Sequence, residues 1–318
     1  MYFYSQGDSA MEQQRHIVIV GIGAAGLYAS KAALSQDRNC RVTFIEERDF
    51  DQFSPCALPF ALEGLMDVEE LKHSLPEVKN RLSKLLFHRA VSMDPDAKTL
   101  TVRNLATGED REIAYHSLVL ATGAAPMILP VPGAREFLGK GIHVVSDIES
   151  VSSLRKAALS TPDKRAAVIG AGAIGLEAAH ALVKLGIHVA VVEAESRPLP
   201  RTIDPEMAGA VLERMQALGM KTLFGNAVTE ILGQDRVEGI QVGEEIISCG
   251  IVVMAAGRIP RSEPAAGAGA AVNRGFLITD NRMETTLKDV YAAGDTVQTF
   301  SRTDRTPAAM QLATAAYR

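Results

Sequence analysis

Short runs of apolar and β-branched residues alternate along the chain with glycine-rich turns and small-residue helices. His16–Val20 is such a run and predicts a buried parallel strand. The turn Gly21-Ile-Gly23-Ala-Ala-Gly26 follows it and opens a predicted helix that runs through Leu34. Arg41–Ile45 predicts the next strand. This part of the chain therefore predicts one strand-helix-strand unit.

The same pattern returns in the middle of the chain. Ala166–Ile169 predicts a strand, and Val189–Val192 predicts its neighbour. The turn between them reads Gly170-Ala-Gly172-Ala-Ile-Gly175 and opens a second small-residue helix. The sequence therefore predicts an α/β fold class with two Rossmann-like dinucleotide-binding domains, each with a parallel central sheet.

Each glycine of such a turn has its own mechanical role. The first makes the tight turn, the second lets the backbone approach a pyrophosphate, and the third lets the helix pack closely on the strand. The helix then directs its positive N-terminal end at the phosphates. A structural glycine turn is the alternative for a single motif, and the repeated strand-glycine-helix order favours nucleotide binding over it.

An acidic residue ends the second strand of each unit. Glu46 stands twenty residues after Gly26, and Glu193 stands eighteen residues after Gly175. A carboxylate at this distance accepts the ribose hydroxyls of a dinucleotide. Because Glu193 would repel the additional phosphate of NADPH, NADH is the predicted nucleotide, and Arg197 four residues later keeps NADPH possible.

Composition excludes several classes of protein. The chain has 318 residues, of which 47% are hydrophobic, so a globular protein is predicted rather than a disordered one. This length corresponds to about two domains of roughly 150 residues each. A net charge of -5 without a polybasic footprint argues against nucleic acid or an anionic membrane surface as a partner. The apolar stretches at 17–29 and 166–194 are interrupted by glycine and charged residues, so neither predicts a membrane helix.

The three cysteines, Cys40, Cys56 and Cys249, are too few for a disulfide framework and form no CxxC pair. A reducing cytoplasm is the predicted location. The first ten residues lack the basic start and apolar centre of a signal peptide, and residues 1–14 are interpreted as a tail or an expression remnant. Glu177 and His180 have the spacing of helical di-iron ligands, but no second copy exists, and no metal site is predicted.

Two further strands end in glycine with polar residues. Ser117–Leu120 leads into Ala121-Thr122-Gly123, and Val290–Ala292 leads into Ala293-Gly294-Asp295. Together with the two glycine motifs, and in this order, these strand ends resemble the motifs of the FAD-dependent pyridine nucleotide-disulfide oxidoreductases. The resemblance covers the chain from His16 to Arg318.

The resemblance implies a domain organisation. Residues 15–145 and 270–318 would form an FAD-binding domain, and residues 146–269 would form an NAD(P)H-binding domain inserted into it. By the same resemblance, this chain would lack the C-terminal dimerisation domain of the family; full-length relatives are homodimeric, and the oligomeric state of this chain is left open. Thr306-Pro307 predicts a helix start, with the helix continuing over Ala308–Tyr317.

The resemblance also implies which residues bind the cofactors, FAD and NADH or NADPH. FAD would contact the first glycine motif, the acids after the second strand and both further strand ends: Gly21, Gly23, Ala24, Ala25, Gly26, Glu46, Glu47, Ala121, Thr122, Gly123, Gly294 and Asp295. The nicotinamide nucleotide would contact the second motif and its surroundings, with Glu177 beside the nicotinamide: Gly170, Gly172, Ala173, Ile174, Gly175, Glu177, Glu193 and Gly257.

In this superfamily the redox chemistry depends on the cysteine after the first strand-helix-strand unit, here Cys56 in the segment Asp51-Gln-Phe-Ser-Pro-Cys56-Ala-Leu-Pro59-Phe60. One thiol replaces the CxxxxC pair. The segment therefore resembles the single-cysteine branch, which includes coenzyme A-disulfide reductase, NADH oxidase, NADH peroxidase and the polysulfide or CoA-persulfide reductases. Cys56 is the predicted catalytic residue.

The local sequence supports a reactive role for Cys56. Ser54 and Pro55 predict a cap and a first helical position, and a helix dipole at this point would lower the pKa of the thiol. A small buried hydrophobe is the alternative for Cys56, and it is the expected role of Cys40 and Cys249.

The resemblance favours a sulfur substrate. Oxidases and peroxidases of the branch carry a histidine where this chain has Ala24. Its absence favours a small-molecule disulfide, persulfide or polysulfide, although Gln52, Pro55, Ala57 and Phe60 depart from the usual Ser, Asn, Gly and Tyr of the branch. The predicted function is electron transfer from NADH through FAD and Cys56 to such a substrate. The alternatives are an NADH oxidase, a reductase of a small electron carrier such as rubredoxin, and a non-enzymatic nucleotide-binding redox sensor.

Overall fold

The computed structural model describes residues 14–75, 78, 80–301, 303 and 306–308. They form two compact units. The first unit contains the described residues up to Gln52, Ser74–Gly123 and the described residues from Pro260 onward. The second unit contains Phe53–His73 and Ala124–Ile259.

Helices and strands alternate through most of the described chain. The helices are α1 Ala24–Gln36, α2 Leu58–Glu63, α3 Ile148–Ser160, α4 Ala173–Lys184, α5 Pro205–Ala217 and α6 Glu263–Gly267, with short 3-10 turns at Pro55–Ala57 and Val68–Leu71. The strands are β1 His16–Val20, β2 Arg41–Ile45, β3 Gln52–Phe53, β4 Lys72–His73, β5 Leu82–Leu85, β6 His88–Asp94, β7 Thr99–Asn104, β8 Asp110–Ala114, β9 Ser117–Leu120, β10 Ala124–Pro126, β11 Ile142–His143, β12 Arg165–Ile169, β13 His188–Glu193, β14 Lys221–Phe224, β15 Val228–Gly233, β16 Val237–Val242, β17 Glu245–Ser248, β18 Ile251–Met254, β19 Arg258–Pro260, β20 Val272–Asn273, β21 Phe276–Ile278, β22 Val290–Ala292, β23 Val297–Phe300 and β24 Pro307–Ala308.

The first unit is built on a five-stranded parallel sheet in the order β22-β9-β1-β2-β5. The central strand β1 is covered on both faces, which is why its apolar run is nearly continuous. Val18 and Val20 pack on one face with residues of the antiparallel sheet β6-β7-β8. Ile19 packs on the other face with Ala25 of α1.

The second unit repeats this arrangement with the parallel order β11-β18-β12-β13-β14. Ala167 and Ile169 of β12 pack in one cluster with Ile231 and Ile240 of the antiparallel sheet β15-β16-β17. Helix α4 contacts β12, β13 and β18, and its small buried residues allow it to approach closely. Helix α2, which follows Cys56, packs against α3 and α4.

The predicted α/β class with two parallel sheets is confirmed. Strands β2, β9 and β22 have the predicted bounds, and α1 extends two residues beyond the predicted end at Leu34. The boundaries of the two ligand-binding domains stay predictions. The compact units divide elsewhere, since residues 53–73 and 124–145 belong with the second glycine motif.

The predicted helix start at Thr306-Pro307 is wrong. Pro307–Ala308 forms β24, which pairs antiparallel with β23, and the N–H of Ser301 donates to the carbonyl oxygen of Thr306 at 2.8 Å. These pairings place Pro307 in an extended hairpin rather than a first helical turn. The remainder of the predicted helix lies outside the described residues. Within the described ranges, every helix is too short or too polar to cross a membrane.

Candidate functional site

The first glycine motif forms a tight loop between β1 and α1. Gly21 has a φ of +99°, and a Cβ there would overlap the carbonyl oxygen of Ala121. A Cβ on Gly26 would overlap the carbonyl oxygen of Gly21, whereas a Cβ on Gly23 would meet nothing within 4 Å. The loop is therefore closed around its first and third glycines and open at its second.

The second glycine motif has the same geometry. Gly170 has a φ of +107°, and a Cβ there would overlap the carbonyl oxygen of Ala255. A Cβ on Gly175 would overlap the carbonyl oxygen of Gly170, and a Cβ on Gly172 would meet nothing within 4 Å. Two loops, one in each unit, thus leave open space over the second glycine.

The open glycines lie at the starts of long helices. Gly23 is the N-cap of α1 and Gly172 is the N-cap of α4, and neither helix has a side-chain cap or an acidic residue in its first turn. The predicted contact residues Ala24, Ala25, Ala173 and Ile174 form these first turns. The first backbone N–H groups of a helix have no intrahelical partner, and the dipole favours negative charge beside them. Both loops are therefore suited to a phosphate.

The two predicted ribose-binding acids contact the glycine loops directly. Glu46 Oε2 accepts a hydrogen bond from the backbone N–H of Ile22 at 2.8 Å. Glu193 Oε2 accepts one from the N–H of Ala171 at 2.8 Å, and Glu193 Oε1 accepts one from the N–H of Glu195 at 3.0 Å. Each carboxylate is therefore hydrogen-bonded to the backbone of its own glycine loop.

Arg48 distinguishes the two acids. Its Nε lies 2.8 Å from Glu46 Oε1 and its Nη2 lies 2.8 Å from Glu46 Oε2, a bidentate ion pair with a carboxylate that is only 7% exposed. Arg48 is not among the residues predicted for this site, although its spacing of two residues from Glu46 is compatible with such a pair. The other acid of this segment, Glu47, forms an exposed ion pair with Arg89 at 3.0 Å.

The remaining predicted FAD contacts lie at the same edge of the first sheet. Val20 is in register with Ile45 and with Leu120, and Leu120 is in register with Ala292. The carboxyl ends of β1, β2, β9 and β22 are therefore side by side, as ligand sites of parallel sheets require. The segments that follow these ends contain Glu46, Ala121, Thr122, Gly123, Gly294 and Asp295.

The glycines of these segments have backbone conformations that other residues rarely adopt. Gly123 has a φ of +67° and Gly294 a φ of +82°. The Thr122 hydroxyl donates to the carbonyl oxygen of Arg261 at 2.5 Å, and the N–H of Arg261 donates to the carbonyl oxygen of Gly123 at 2.9 Å. The turn after β9 is thus held by backbone contacts that the local sequence does not indicate.

The second unit brings together its own predicted contacts in the same way. Ile169 is in register with Val192 and with Met254, so the second glycine loop, Glu193 and the segment that contains Gly257 share one sheet edge. Glu177 lies on α4, and desolvation raises the pKa of its carboxyl group. A raised pKa favours the protonated form of this carboxyl group, which can then donate a hydrogen bond to a ligand.

Arg197 is bound to the backbone of its own loop. Its guanidinium donates to the carbonyl oxygens of Ile203 at 2.7 Å and Pro200 at 2.8 Å. The side chain therefore stabilises the loop between β13 and α5. This contact weakens the one argument for NADPH that the sequence offered.

Cys56 lies in the 3-10 turn Pro55–Ala57, immediately before α2. The predicted helical turn with Pro55 at its first position is confirmed, but the predicted side-chain cap is wrong. The Ser54 hydroxyl instead lies 2.8 Å from Nε2 of His73, a contact between the ends of two paired short strands that local sequence cannot indicate.

The three cysteines differ sharply in exposure. Cys56 is exposed, whereas Cys40 and Cys249 are buried at 0% and 1% exposure. Desolvation, with a smaller contribution from Asp163, raises the pKa of the Cys249 thiol to about 12. Cys56 is therefore the cysteine that a substrate can reach. In the described part of the chain, no three His, Cys, Asp or Glu residues are grouped as a metal site would require.

Comparison with known proteins gives one family and several similar chains. The model of the family described as pyridine nucleotide-disulphide oxidoreductase matches residues 15–318. The NADH oxidase of Methanocaldococcus jannaschii is 31% identical over 88% of this chain and 63% of its own length. The nitrite reductase (NAD(P)H) of Bacillus subtilis is 31% identical over 89% of this chain and 34% of its own length.

Among solved structures, the NAD-dependent persulfide reductase from A. fulgidus superimposes with a TM-score of 0.87 at 28% identity. The match covers 95% of this chain and 57% of that protein. The chain thus spans between about one third and just under two thirds of the length of these three proteins. All three names include a nicotinamide nucleotide, and two of them state different electron acceptors, nitrite and a persulfide.

Proposed function

Because this chain belongs to the pyridine nucleotide-disulphide oxidoreductase family, we propose that it transfers electrons from NADH, with FAD as cofactor, to a disulfide, persulfide or polysulfide by way of Cys56. The observation that carries the choice of a sulfur substrate is the exposure of Cys56 on a short turn, while the other two cysteines are buried. The persulfide reductase from A. fulgidus, which is similar over nearly the whole chain, supports the same substrate class.

We assign FAD to the first unit. Its pyrophosphate would lie over Gly23 at the N-terminus of α1, where the loop is open. Glu46 would accept an adenosine ribose hydroxyl in place of the 3.2 Å hydrogen bond from the backbone N–H of Arg48, and the Arg48 guanidinium would hold that carboxylate in position. Gly294 and Asp295 would contact the flavin side of the cofactor, since they lie at the same sheet edge.

We assign NADH to the second unit. Its pyrophosphate would lie over Gly172, and Glu193 would accept the ribose hydroxyls. Glu177 would lie beside the nicotinamide. When bound, FAD accepts a hydride from the reduced nicotinamide and passes on two electrons.

Cys56 would carry the sulfur chemistry. Its thiolate attacks one sulfur of the substrate disulfide, forms a mixed disulfide and expels the other half as a thiolate. Two electrons from the nucleotide then restore the Cys56 thiolate and release the second half. The sum is NADH, one proton and RSSR giving NAD+ and two RSH, so hydride, proton and sulfur balance.

The test separates nucleotide oxidation from sulfur chemistry. Anaerobic stopped-flow absorbance measures reduction of the flavin by NADH. Reduction of the sulfur substrate is measured as thiol release from coenzyme A disulfide or as sulfide release from inorganic tetrasulfide. Cys56→Ser should keep flavin reduction and lose turnover with both sulfur substrates. Cys40→Ser is the matched control and should retain both reactions, because Cys40 is buried and its Sγ contacts only the protein itself: it donates to the carbonyl oxygen of Ala33 and accepts from Nη2 of Arg81.

A second candidate is electron transfer from NADH to oxygen or to a protein carrier without Cys56. The name of the M. jannaschii relative, NADH oxidase, supports oxygen as the acceptor. Wild-type turnover of Cys56→Ser with sulfur substrates would contradict the sulfur proposal. NADH-dependent oxygen consumption that is unchanged by Cys56→Ser would favour this second candidate. Protein that contains no flavin and takes up no FAD on reconstitution would contradict both.

A further inference from the structure

A cleft lies between α4 and α5 in the second unit. Its volume is about 410 Å³, within the range of small-molecule sites. The cleft is lined mainly by apolar side chains from both helices and from the loop between β13 and α5. These residues include Leu176, Leu199, Ile203, Val211, Met215 and Leu218.

Helical periodicity builds the two main walls. Leu176 and His180 stand four residues apart on α4, and Ala210 and Arg214 stand four residues apart on α5. Residues at this spacing share one helix face. Each helix therefore lines the cleft with one apolar residue and, one turn later, with one polar residue.

The third wall is held in place by the protein itself. The guanidinium of Arg197 bonds the carbonyl oxygens of Pro200 and Ile203, and the N–H of Leu199 donates to the carbonyl oxygen of Ala171 at 2.9 Å. Leu199 and Ile203 are thus fixed at the cleft without a ligand. A preformed wall lowers the entropic cost of binding.

Among the described residues that line the cleft, the one charged side chain is that of Arg214, an exposed residue of α5. Arg214 and His180 line it, and no aspartate or glutamate does, although the whole chain has a net charge of -5. In the described part of the chain, neither the Arg214 guanidinium nor the His180 imidazole has a side-chain hydrogen bond or ion pair. An unpaired guanidinium favours a carboxylate, and the apolar walls favour an aliphatic chain.

We propose that the cleft between α4 and α5 binds a medium-chain aliphatic carboxylate, with its chain against Leu176, Val211 and Met215 and its carboxylate on Arg214. The methionine adapts to chains of different shape, because its thioether side chain is flexible and polarizable. The proposal requires neither Cys56 nor a bound nucleotide, so it stands or fails independently of the proposed electron transfer.

Isothermal titration calorimetry with sodium decanoate, below its micelle concentration, tests the site on the whole chain. Decanoate should bind saturably to one site, and octanoate and hexanoate should bind more weakly by up to about fourfold for each CH₂ removed. Decyltrimethylammonium has the same chain with the opposite charge and should bind at least about tenfold more weakly. Absence of saturable decanoate binding, or equal binding of the cationic probe, would overturn the proposal.

Two variants locate the site. Ala210→Phe places a ring in the cleft and should weaken decanoate binding by about tenfold or more. Gln216→Phe adds the same ring at an exposed position of α5 outside the cleft and should bind decanoate as the wild type does. Equal binding by Ala210→Phe and wild type would show that decanoate binds elsewhere.

The role of the Arg214 charge is tested separately, in protein that keeps Ala210. Arg214→Gln should remove the preference for decanoate over decanol, which carries no charge. Arg236→Gln, an exposed arginine of the same unit outside the cleft, should retain that preference. Far-ultraviolet circular dichroism shows whether each variant is folded, and an unchanged preference in folded Arg214→Gln would contradict the assigned carboxylate contact.

Discussion

The carboxylate of Glu193 accepts a hydrogen bond from the backbone N–H of Ala171 at 2.8 Å. The equivalent contact in the first unit joins Glu46 to the N–H of Ile22, also at 2.8 Å. Each acid is therefore positioned by the glycine loop beside it. Glu193 accepts one hydrogen bond on each carboxylate oxygen, from the backbone N–H groups of Ala171 and Glu195, so acceptor capacity remains for a ribose. Glu46 accepts three further hydrogen bonds from the backbone N–H, Nε and Nη2 of Arg48, so its acceptor sites are already occupied.

The position of Glu193 predicts a preference for NADH over NADPH. Its carboxylate would face the 2'-phosphate of NADPH, and two like charges about 4 Å apart cost on the order of 1 kcal/mol in water and about 4 kcal/mol at an effective dielectric near 20. Since Arg197 is bound to its own loop, it does not offset this repulsion. The ratio of kcat/KM for the two nucleotides should favour NADH by about tenfold or more.

Glu193→Ala should lose much of this preference, mainly because NADPH gains. Glu230→Ala removes an exposed carboxylate of the same unit and should leave the ratio unchanged. A wild-type enzyme that favours NADPH would show that the assignment of Glu193 is wrong.

The glycines of the second loop predict two different kinds of damage. Gly172→Ala adds a methyl group that meets nothing within 4 Å, so thermal stability should stay near wild type while NADH binding weakens. Gly175→Ala adds a methyl group that overlaps the carbonyl oxygen of Gly170, so it should lower the free energy of unfolding by about 1–3 kcal/mol.

Thermal unfolding and equilibrium titration with NADH distinguish the two glycine variants, and each serves as the control for the other. An equally destabilised Gly172→Ala would mean that the space over this glycine is needed by the protein. Unchanged NADH binding in stable Gly172→Ala would mean that no pyrophosphate approaches it.

A buried histidine predicts loss of stability in mild acid. His143 of β11 is 9% exposed, and burial, with a smaller contribution from Arg236, lowers its pKa below the ordinary value of 6.5. The unfolded chain therefore binds a proton near pH 6.5 that the folded chain does not, and stability falls as pH decreases below that value. The slope approaches about 1.4 kcal/mol per pH unit for one such group, until the folded state is also protonated.

Urea denaturation at about pH 7.5, 6.5 and 5.5 measures this dependence. The fall between pH 6.5 and 5.5 should be smaller in His143→Gln than in wild type, and His188→Gln, an exposed histidine of the same unit, should keep the wild-type fall. His16 contributes with the same sign, since burial, Arg41 and His116 lower its pKa. An identical slope in His143→Gln would contradict the role of this histidine.

The features that could be predicted from the sequence depend on residues close together in the chain. β1, its glycine loop and α1 are consecutive, and the loop needs glycines where a Cβ would overlap backbone, so composition and spacing indicate the unit directly. The same reasoning applies to β12, the second loop and α4. The predicted family is confirmed for the same reason, since its motifs are local and occur in a set order.

Other features were decided by side chains that meet only in the folded protein. Ser54 contacts His73 nineteen residues away instead of capping a helix, and Thr122 donates to the backbone of Arg261, 139 residues away. The segment 53–73 joins the second unit because α2 packs against α3 and α4, although it follows the first strand-helix-strand unit in the chain.

The contacts of Arg197 also could not be predicted from the sequence, although its partners are close in the chain. Its spacing from Glu193 is compatible with a phosphate contact, but the loop folds back and brings the carbonyl oxygens of Pro200 and Ile203 to its guanidinium. A buried or partly buried guanidinium takes the partners that satisfy most of its donors, and those partners depend on where the chain turns. The sequence by itself therefore determined the two nucleotide-binding frameworks and the position of Cys56 after the first of them, whereas the exposure of Cys56 was decided by the fold. Tertiary structure decided which charged groups are already paired and which, such as Arg214, face a cleft.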